Sequence, residues 1–409
     1  MGCCRFCGAR LEDTFVDLGL SPLCEKYVAP DRLNQAEQFY PLHAWICRQC
    51  LLVQLEAVVT PEELFDDYAY FSSYSDSWVA HARTYCDEVV RRFGLGANSR
   101  IVEIACNDGY LLQHFAARRL NVLGIEPAAN VAKVAEARGI PVEVRYFGRD
   151  TALYVLDKYG SADLLVGNNV LVHVPDLNDF VSGLKQLLAP DGVITLEFPH
   201  LVQLVEQGQF DTIYHEHFSY FSFLTAERVL DAHGLRVFDV EALHTHGGSL
   251  RIYAQHAESG PHRVAERVLQ LREAERSGGY DRLETYADFS PKVEAVRRSL
   301  LEFLVRAKAE GKRVAGYGAP GKGNTLLNYC GIGPDLLEYT VDRSPHKQGL
   351  YTPGTRIPIG HPDRIGETRP DYLLILPWNL KEEIMEQMAG IREWGGRFVV
   401  PIPSLQVFD

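Results

Sequence analysis

Between residues 99 and 253 short apolar runs alternate with stretches whose apolar positions recur every three or four residues, the pattern of a parallel sheet wound with helices. The runs predict strands at 101–105, 121–126, 141–144, 162–167, 193–198 and 236–240. A seventh run, 249–253, follows the Gly247-Gly248 pair with no helix between, so it is expected to pair antiparallel with its predecessor.

Beyond this unit, residues 261–276 read as a polar, charged helix stopped at Ser277-Gly278-Gly279. The next helix is expected to be capped by Ser290, with Pro291 at its first position, and to bury Val293, Val296, Leu300, Leu301 and Leu304 on one face. A second, shorter α/β unit follows: a strand at 313–316, a loop, a helix through 325–330, and strands at 338–341, 372–376 and 398–401. A chain of 409 residues exceeds what one core ordinarily serves. The patterning divides it into an N-terminal module at 1–66, a central domain at 67–290 and a C-terminal domain at 291–409.

Charge narrows the partners. A net charge of −13 without a strongly basic stretch argues against a nucleic-acid backbone as ligand. No run approaches the roughly 18 apolar residues of a membrane span, and the chain opens without a charged-then-apolar leader. A cytoplasmic protein with no membrane partner is expected. The opening MGCCRF resembles a myristoylation signal only until Phe6, which stands where Ser or Thr is required.

Nine cysteines in such a chain read as thiols or metal ligands. Cys4 and Cys7, with Cys47 and Cys50, form two Cys-x-x-Cys knuckles, which together make a closed tetrahedral zinc set; redox dithiols are the alternative. Four thiolates leave no open position for catalysis, so a structural zinc is expected. Cys3 is a possible substitute for Cys4, and the segment between knuckles has room for a small strand pair.

Two loops have nucleotide character. The first, VEIACNDGYLL at 102–112, ends the first central strand, with Glu103 and Asp108 acidic and Gly109 allowing a close turn. Glu126 closes the second strand, where a carboxylate can accept from ribose hydroxyls, and Asn168 and Asn169 follow the fourth. Together they make a composite nucleoside pocket. The second loop, VAGYGAPGKGN at 314–324, sets Gly316, Gly318 and Gly321 in G-x-G-x-x-G register, with Asp342 some 20 residues on. Three readings stay open for it: a dinucleotide site, a tight strand-to-helix turn, or a loop whose N–H groups and Lys322 hold a phosphate of another ligand.

YHEHFSYFS at 214–222 admits a metal site, a catalytic site or a polar knot in a core. No further metal-binding side chains cluster with it in sequence, and the cysteines already supply a metal set, so the metal reading is weak. In an extended segment His215 and His217 would point one way and Tyr214 and Glu216 the other. Either a turn at Glu216 gathers them, or His215 is structural. His217 is expected in the site with His215 supporting it.

The order of CRFC with CRQC, YAYFSSYS, EIACNDGYLL, GIEPAANV, NNVLVHVPD, YHEHFSYFS and GYGAPGKGN resembles the nucleotide-sugar C-methyltransferases of branched deoxysugar biosynthesis, over nearly the whole chain. The resemblance implies a class I methyltransferase α/β fold, Rossmann-like with a seven-stranded sheet, a Cys4 zinc module and a C-terminal Rossmann-like domain without its own dinucleotide. It implies S-adenosylmethionine as cofactor and, as acceptor, C3 of a 4-keto-hexose on thymidine diphosphate, lying between the two α/β domains. Carried over, Cys4, Cys7, Cys47 and Cys50 match the zinc ligands. Glu103, Asn107, Gly109 and Glu126 with Pro127 match the cofactor loop and ribose acid, beside Asn168 and Asn169. His173, Tyr214, Glu216 and His217 match the active-site cluster, joined by Tyr68 or, second, Tyr70. Gly318, Lys322 and Asn324 are the expected substrate contacts.

A carbon beside a ketone needs a base and an enolate stabiliser before it attacks a sulfonium methyl. Histidine titrates near neutrality, which makes His217 the expected base and Tyr68 or Tyr214 the expected hydroxyl donors. An NAD-dependent sugar oxidoreductase using the second loop and a non-catalytic sugar-nucleotide-binding protein are the competing readings.

Overall fold

The computed structural model describes residues 2–60, 63–64 and 71–409; Tyr68 and Tyr70 lie outside the described residues. Three sheets organise them.

The first has four strands in the order β1-β2-β3-β9. β1 (Asp13–Ser21) and β2 (Tyr40–Ile46) are the antiparallel pair between the cysteine knuckles, and β3 (Val53–Leu55) follows the second knuckle. The fourth strand is borrowed. β9 (Ser219–Tyr220) belongs to the YHEHFSYFS stretch, and its Tyr220 pairs with Val53.

The second sheet has seven strands: β4 (Arg100–Ile104), β5 (Asn121–Ile125), β6 (Val142–Glu143), β7 (Ala162–Asn168), β8 (Leu188–Pro199), β10 (Leu235–Leu243) and β11 (Ser249–His256). Their order is β10-β11-β8-β7-β4-β5-β6. The pairs from β8 through β6 are parallel, while β11 slots antiparallel between β8 and β10, as the Gly247-Gly248 turn implied. Sequence runs located these strands because apolar residues of both faces are buried. Val102 and Ile104 lie in one core, Ile101 in another with Tyr85 and Cys86 of the helix Asp76–Phe93. The order reverses beside β4, leaving a crevice outside the ends of β4, β5 and β7.

The third sheet, order β14-β13-β12-β15-β16-β17, comprises β12 (Val314–Tyr317), β13 (Thr340–Val341), β14 (Ile359–Gly360), β15 (Tyr372–Ile375), β16 (Arg397–Val400) and β17 (Gln406–Phe408). It is parallel apart from its last strand. The two-residue β14 and the edge strand β17 lack an apolar run long enough to announce them.

Two helix boundaries differ from expectation. The helix expected at 261–276 is Glu266–Ser277, because Ala265 N–H donates to Phe238 O and keeps the approach extended. The following helix is Phe289–Ala309 with Asp288 at its N-cap, so Ser290 is no cap; its hydroxyl donates to Phe15 O at 3.2 Å. Phe289 stacks on Phe15 at 4.5 Å. That helix thereby joins the first sheet to the third, and the two share one core.

Candidate active site

The knuckles converge. Cys4, Cys7, Cys47 and Cys50 place their four Sγ atoms within 4.8 Å of one another, with 3.5 Å between Cys4 and Cys50 and between Cys7 and Cys47. Zn–S bonds of about 2.3 Å in a tetrahedron put sulfurs roughly 3.8 Å apart, so the set fits zinc. Gln54 Nε2 donates to Cys4 Sγ at 3.2 Å, and Gln54 is itself a β3 residue paired with Ser219. The metal module and the YHEHFSYFS stretch are thus neighbours by hydrogen bonding.

A cavity of about 620 Å³ opens at the crevice of the central sheet and runs to the start of the helix Gly321–Cys330. Its first half is built by loops after β4, β5 and β7. Ala105, Asn107 and Gly109 alternate at φ 55, 51 and 78, so a loop with a single glycine still makes the left-handed turns such a loop needs. Asn tolerates that region, whereas Ala105 is strained by about 1–2 kcal/mol. Glu126 holds the loop: Oε2 accepts from Asn107 N–H and Oε1 from Ala128 N–H, both at 2.9 Å. Burial nevertheless raises its pKa to about 7. Among the described residues Asn168, 8% exposed, has neither side-chain atom hydrogen-bonded, and Asn169 Oδ1 is likewise unpartnered. Unpaired buried amides on a cavity wall are what a polar ligand completes. Pro127 and Asn107 line the same half, as do Trp78, Tyr110 and Phe147.

Two expected contacts are absent from this wall. Glu103 shares a sheet face with Ile101, accepts from Leu112 N–H beneath the loop, and is pushed well up by burial and then by Glu126 and Asp108. Gly109 faces the helix Ala129–Ala137, where a Cβ would sit 3.2 Å from Ala135 and from Ile140. Both lie behind the wall.

The second half gathers His173, Tyr214, Glu216 and His217. His217 N–H donates to Tyr214 O at 2.8 Å, closing a turn over residues 214–217 in place of an extended segment. The Tyr214 and His173 rings lie 4.0 and 4.7 Å from that of His217. His217 Nδ1 donates to Thr212 O at 2.8 Å and His173 Nδ1 to Glu216 O at 2.9 Å. Carbonyls only accept, so both imidazoles carry their lone pair on Nε2. His215 turns away and donates to Pro41 O at 3.1 Å in β2. Burial lowers His173 to about 4, and burial with the neighbouring His173 holds His217 well below its ordinary value. Glu216 moves the other way, to about 8, through burial and the nearby Glu25.

The second loop supplies one of its three expected contacts. Lys322 lines the cavity, its Nζ accepted by Asn379 Oδ1 at 2.8 Å and lying 4.8 Å from the Trp378 ring centroid. Gly318, at φ 86, packs under Pro377, and Asn324 donates to Cys24 O at 2.6 Å, so neither faces the cavity. Asp342 accepts from Ala319 N–H at 2.7 Å and Ser344 N–H at 2.8 Å. The acid of the apparent dinucleotide motif is spent on its own loop. A Cβ on Gly321 would meet Cys24 Sγ at 2.9 Å, so N-terminal residues cover this helix start.

Sequence reasoning missed His246, Glu25, Lys347 and Asn379, all on the cavity wall. His246 had a signal, a histidine beside the glycine pair of an expected hairpin; the others stand in no motif.

Comparisons with known proteins match nearly the whole chain. A model described as a zinc binding domain matches residues 4–65, a methyltransferase domain matches 78–240, and a C-methyltransferase C-terminal domain matches 244–403. The C-methyltransferase NovU of Streptomyces niveus is 38% identical over 406 residues, covering 99% of this chain and 96% of that protein. The chain belongs to the C-methyltransferase family. A ubiquinone biosynthesis O-methyltransferase of Xanthomonas oryzae pv. oryzae is 30% identical over 112 residues, 27% of this chain and 46% of that one. Among solved structures, the magnesium protoporphyrin IX methyltransferase of Synechocystis PCC 6803 is 16% identical, covering 46% of this chain and 85% of that one at a TM-score of 0.33.

This C-methyltransferase is therefore an S-adenosylmethionine-dependent enzyme with a class I seven-stranded sheet and a Cys4 zinc-binding module. Among its described residues no helix is long and apolar enough to cross a membrane.

Proposed function

We propose that this C-methyltransferase methylates the carbon beside the ketone of a nucleotide-linked keto-deoxysugar, C3 of a 4-keto-hexose on thymidine diphosphate. One observation carries the reading: a single cavity joins an acid-and-amide wall suited to an adenosyl group to a wall of buried, neutral imidazoles.

S-adenosylmethionine, when bound, supplies an electrophilic methyl on a sulfonium. Glu126 offers its remaining lone pairs to ribose hydroxyls, and Asn168 pairs its unsatisfied amide with the adenosyl group. At the other wall His217 Nε2 takes the proton from the carbon beside the ketone, and the C–H pair moves into an enolate. That carbon is then the nucleophile for the methyl that bound S-adenosylmethionine would supply, with S-adenosylhomocysteine as the leaving product.

The surrounding groups suit this step. His217 is held neutral, so its lone pair is available throughout the neutral range, but its titration lies well below the near-neutral value expected from the sequence, which makes it a weaker base. Its Nδ1–H bond to Thr212 O fixes which nitrogen faces the substrate. Tyr214, its ring tilted against that of His217, places a hydroxyl for the sugar or its developing oxyanion. Glu216, protonated below about 8, is a donor and acceptor for a sugar hydroxyl.

The test is turnover on a panel of keto-sugar nucleotides, following S-adenosylhomocysteine release and product mass together. A gain of one methylene on a thymidine-diphosphate 4-keto-deoxyhexose is expected. No gain on any keto-sugar nucleotide would overturn the substrate class.

A further inference from the structure

Lys322 is a cation out of place. It lines the cavity wall half-buried, and among the described residues its nitrogen enters no ion pair. Its one hydrogen-bond acceptor is an amide, Asn379 Oδ1. Asp211, held by Trp378 Nε1, acts on the lysine from beyond ion-pair distance, so the ammonium keeps its reach into the cavity for an anion that arrives with the reaction.

Its neighbours show where that anion forms. One helical turn along, Thr325 Oγ1 donates to Ile213 O at 3.2 Å, the residue before Tyr214, which sets this helix face against the 214–217 turn. The Trp378 ring beneath the ammonium is anchored by Nε1 donating to Asp211 Oδ2 at 2.7 Å, and a Cβ on Gly247 would lie 2.5 Å from the same ring. Lys322 thus stands between the 214–217 turn and the hairpin tip bearing His246. The same charge helps keep His217 and His246 neutral.

A base must reach the acidic carbon, and the ketone oxygen is attached to the next atom. The diphosphate hangs from C1, across the sugar ring from a C4 ketone. A cation beside the base therefore faces the ketone oxygen before it faces a phosphate.

We propose that Lys322 is a catalytic residue whose ammonium stabilises the enolate oxygen formed when His217 removes the proton, and is not a phosphate holder. The inference rests on the keto-sugar reading above. In the step the C–H bond breaks, its proton goes to His217 Nε2, and its electron pair becomes the enolate with charge on oxygen beside Lys322 Nζ.

Two probes separate the roles. The first is deuterium uptake from solvent at the carbon beside the ketone of a thymidine-diphosphate 4-keto-deoxyhexose, at saturation, with S-adenosylhomocysteine present. The second is equilibrium binding of thymidine diphosphate, which keeps the phosphates and lacks the ketone. Lys322→Met is expected to slow exchange by about 100-fold, the scale of losing one oxyanion donor, and to leave thymidine diphosphate affinity within about twofold. Lys322→Arg, which keeps the charge, is expected to recover about tenfold of the exchange and serves if the methionine variant does not fold. A tenfold or greater loss of thymidine diphosphate affinity with unchanged exchange overturns the proposal in favour of phosphate holding. Wild-type protein that neither binds thymidine diphosphate nor exchanges any keto-sugar nucleotide overturns the reading beneath it.

Discussion

Glu216 and His217 are adjacent in the chain and shifted in opposite directions, each toward its uncharged form, because the same burial penalises a carboxylate and an imidazolium alike. The carboxylate leaves a signature in stability. Folded Glu216 keeps its proton to about 8, while the ordinary carboxylate value is 4.5. Its contribution is complete below about 4.5 and is lost as pH rises through about 8, since only the unfolded chain releases the proton in that window. Glu216→Gln is therefore expected to gain on wild type across it, by about 1 kcal/mol per pH unit in thermal or urea melts; a constant offset would contradict the shift. For His217→Gln we expect deuterium exchange at the acidic carbon to fall by at least about 100-fold, with thymidine diphosphate affinity kept within about threefold. Persisting exchange would move the base to His173 or His246. At this scale the sequence was half legible. It named the residues of the 214–217 stretch and offered a turn at Glu216 or a structural His215 as alternatives; it could not choose between them, because a turn closed by one backbone bond leaves no period to read, and the structure has both.

Among elements, the long apolar runs were readable and the short ones were not. β4, β5 and β7 sit where the runs put them because both of their faces contribute to cores. β9 has two residues, and its pairing with β3 could not be foreseen from 166 or so intervening positions. That pairing makes zinc an active-site matter. Metal removal by a chelator is expected to expose the amides of β3 and of residues 218–220 to hydrogen exchange, and to depress turnover before the central sheet melts. Full protection in the metal-free protein would show that the borrowed strand holds without the metal. The second loop teaches the opposite lesson, since its motif was readable and its ligand was not. Asp342 caps Ala319 and Ser344, so Asp342→Ala is expected to cost about 1–3 kcal/mol of stability, with no saturable NADH binding in the parent. Saturable binding abolished by the variant would restore the dinucleotide reading.

For the molecule as a whole, the cavity belongs to no single sheet. Glu25 reaches it from the N-terminal segment, Glu126, His173 and His217 from around the central sheet, and Lys322 and Lys347 from the third. Lys347 pairs with Glu25 at 3.5 Å across two of these units. Residues contributed from such distant stretches carry no local pattern, which is why Glu25 and Lys347 were invisible in the sequence while the motif residues were not. On the keto-sugar reading proposed above, an imidazole of this shared cavity removes a carbon-bound proton while the methyl donor would sit against the Glu126 and Asn168 wall. The most direct test is nuclear magnetic resonance of the product formed with carbon-13 methyl-labelled S-adenosylmethionine and a thymidine-diphosphate 4-keto-deoxyhexose. The account predicts one-bond carbon–carbon coupling between the labelled methyl and the ring carbon beside the ketone; label attached to a sugar oxygen would contradict it.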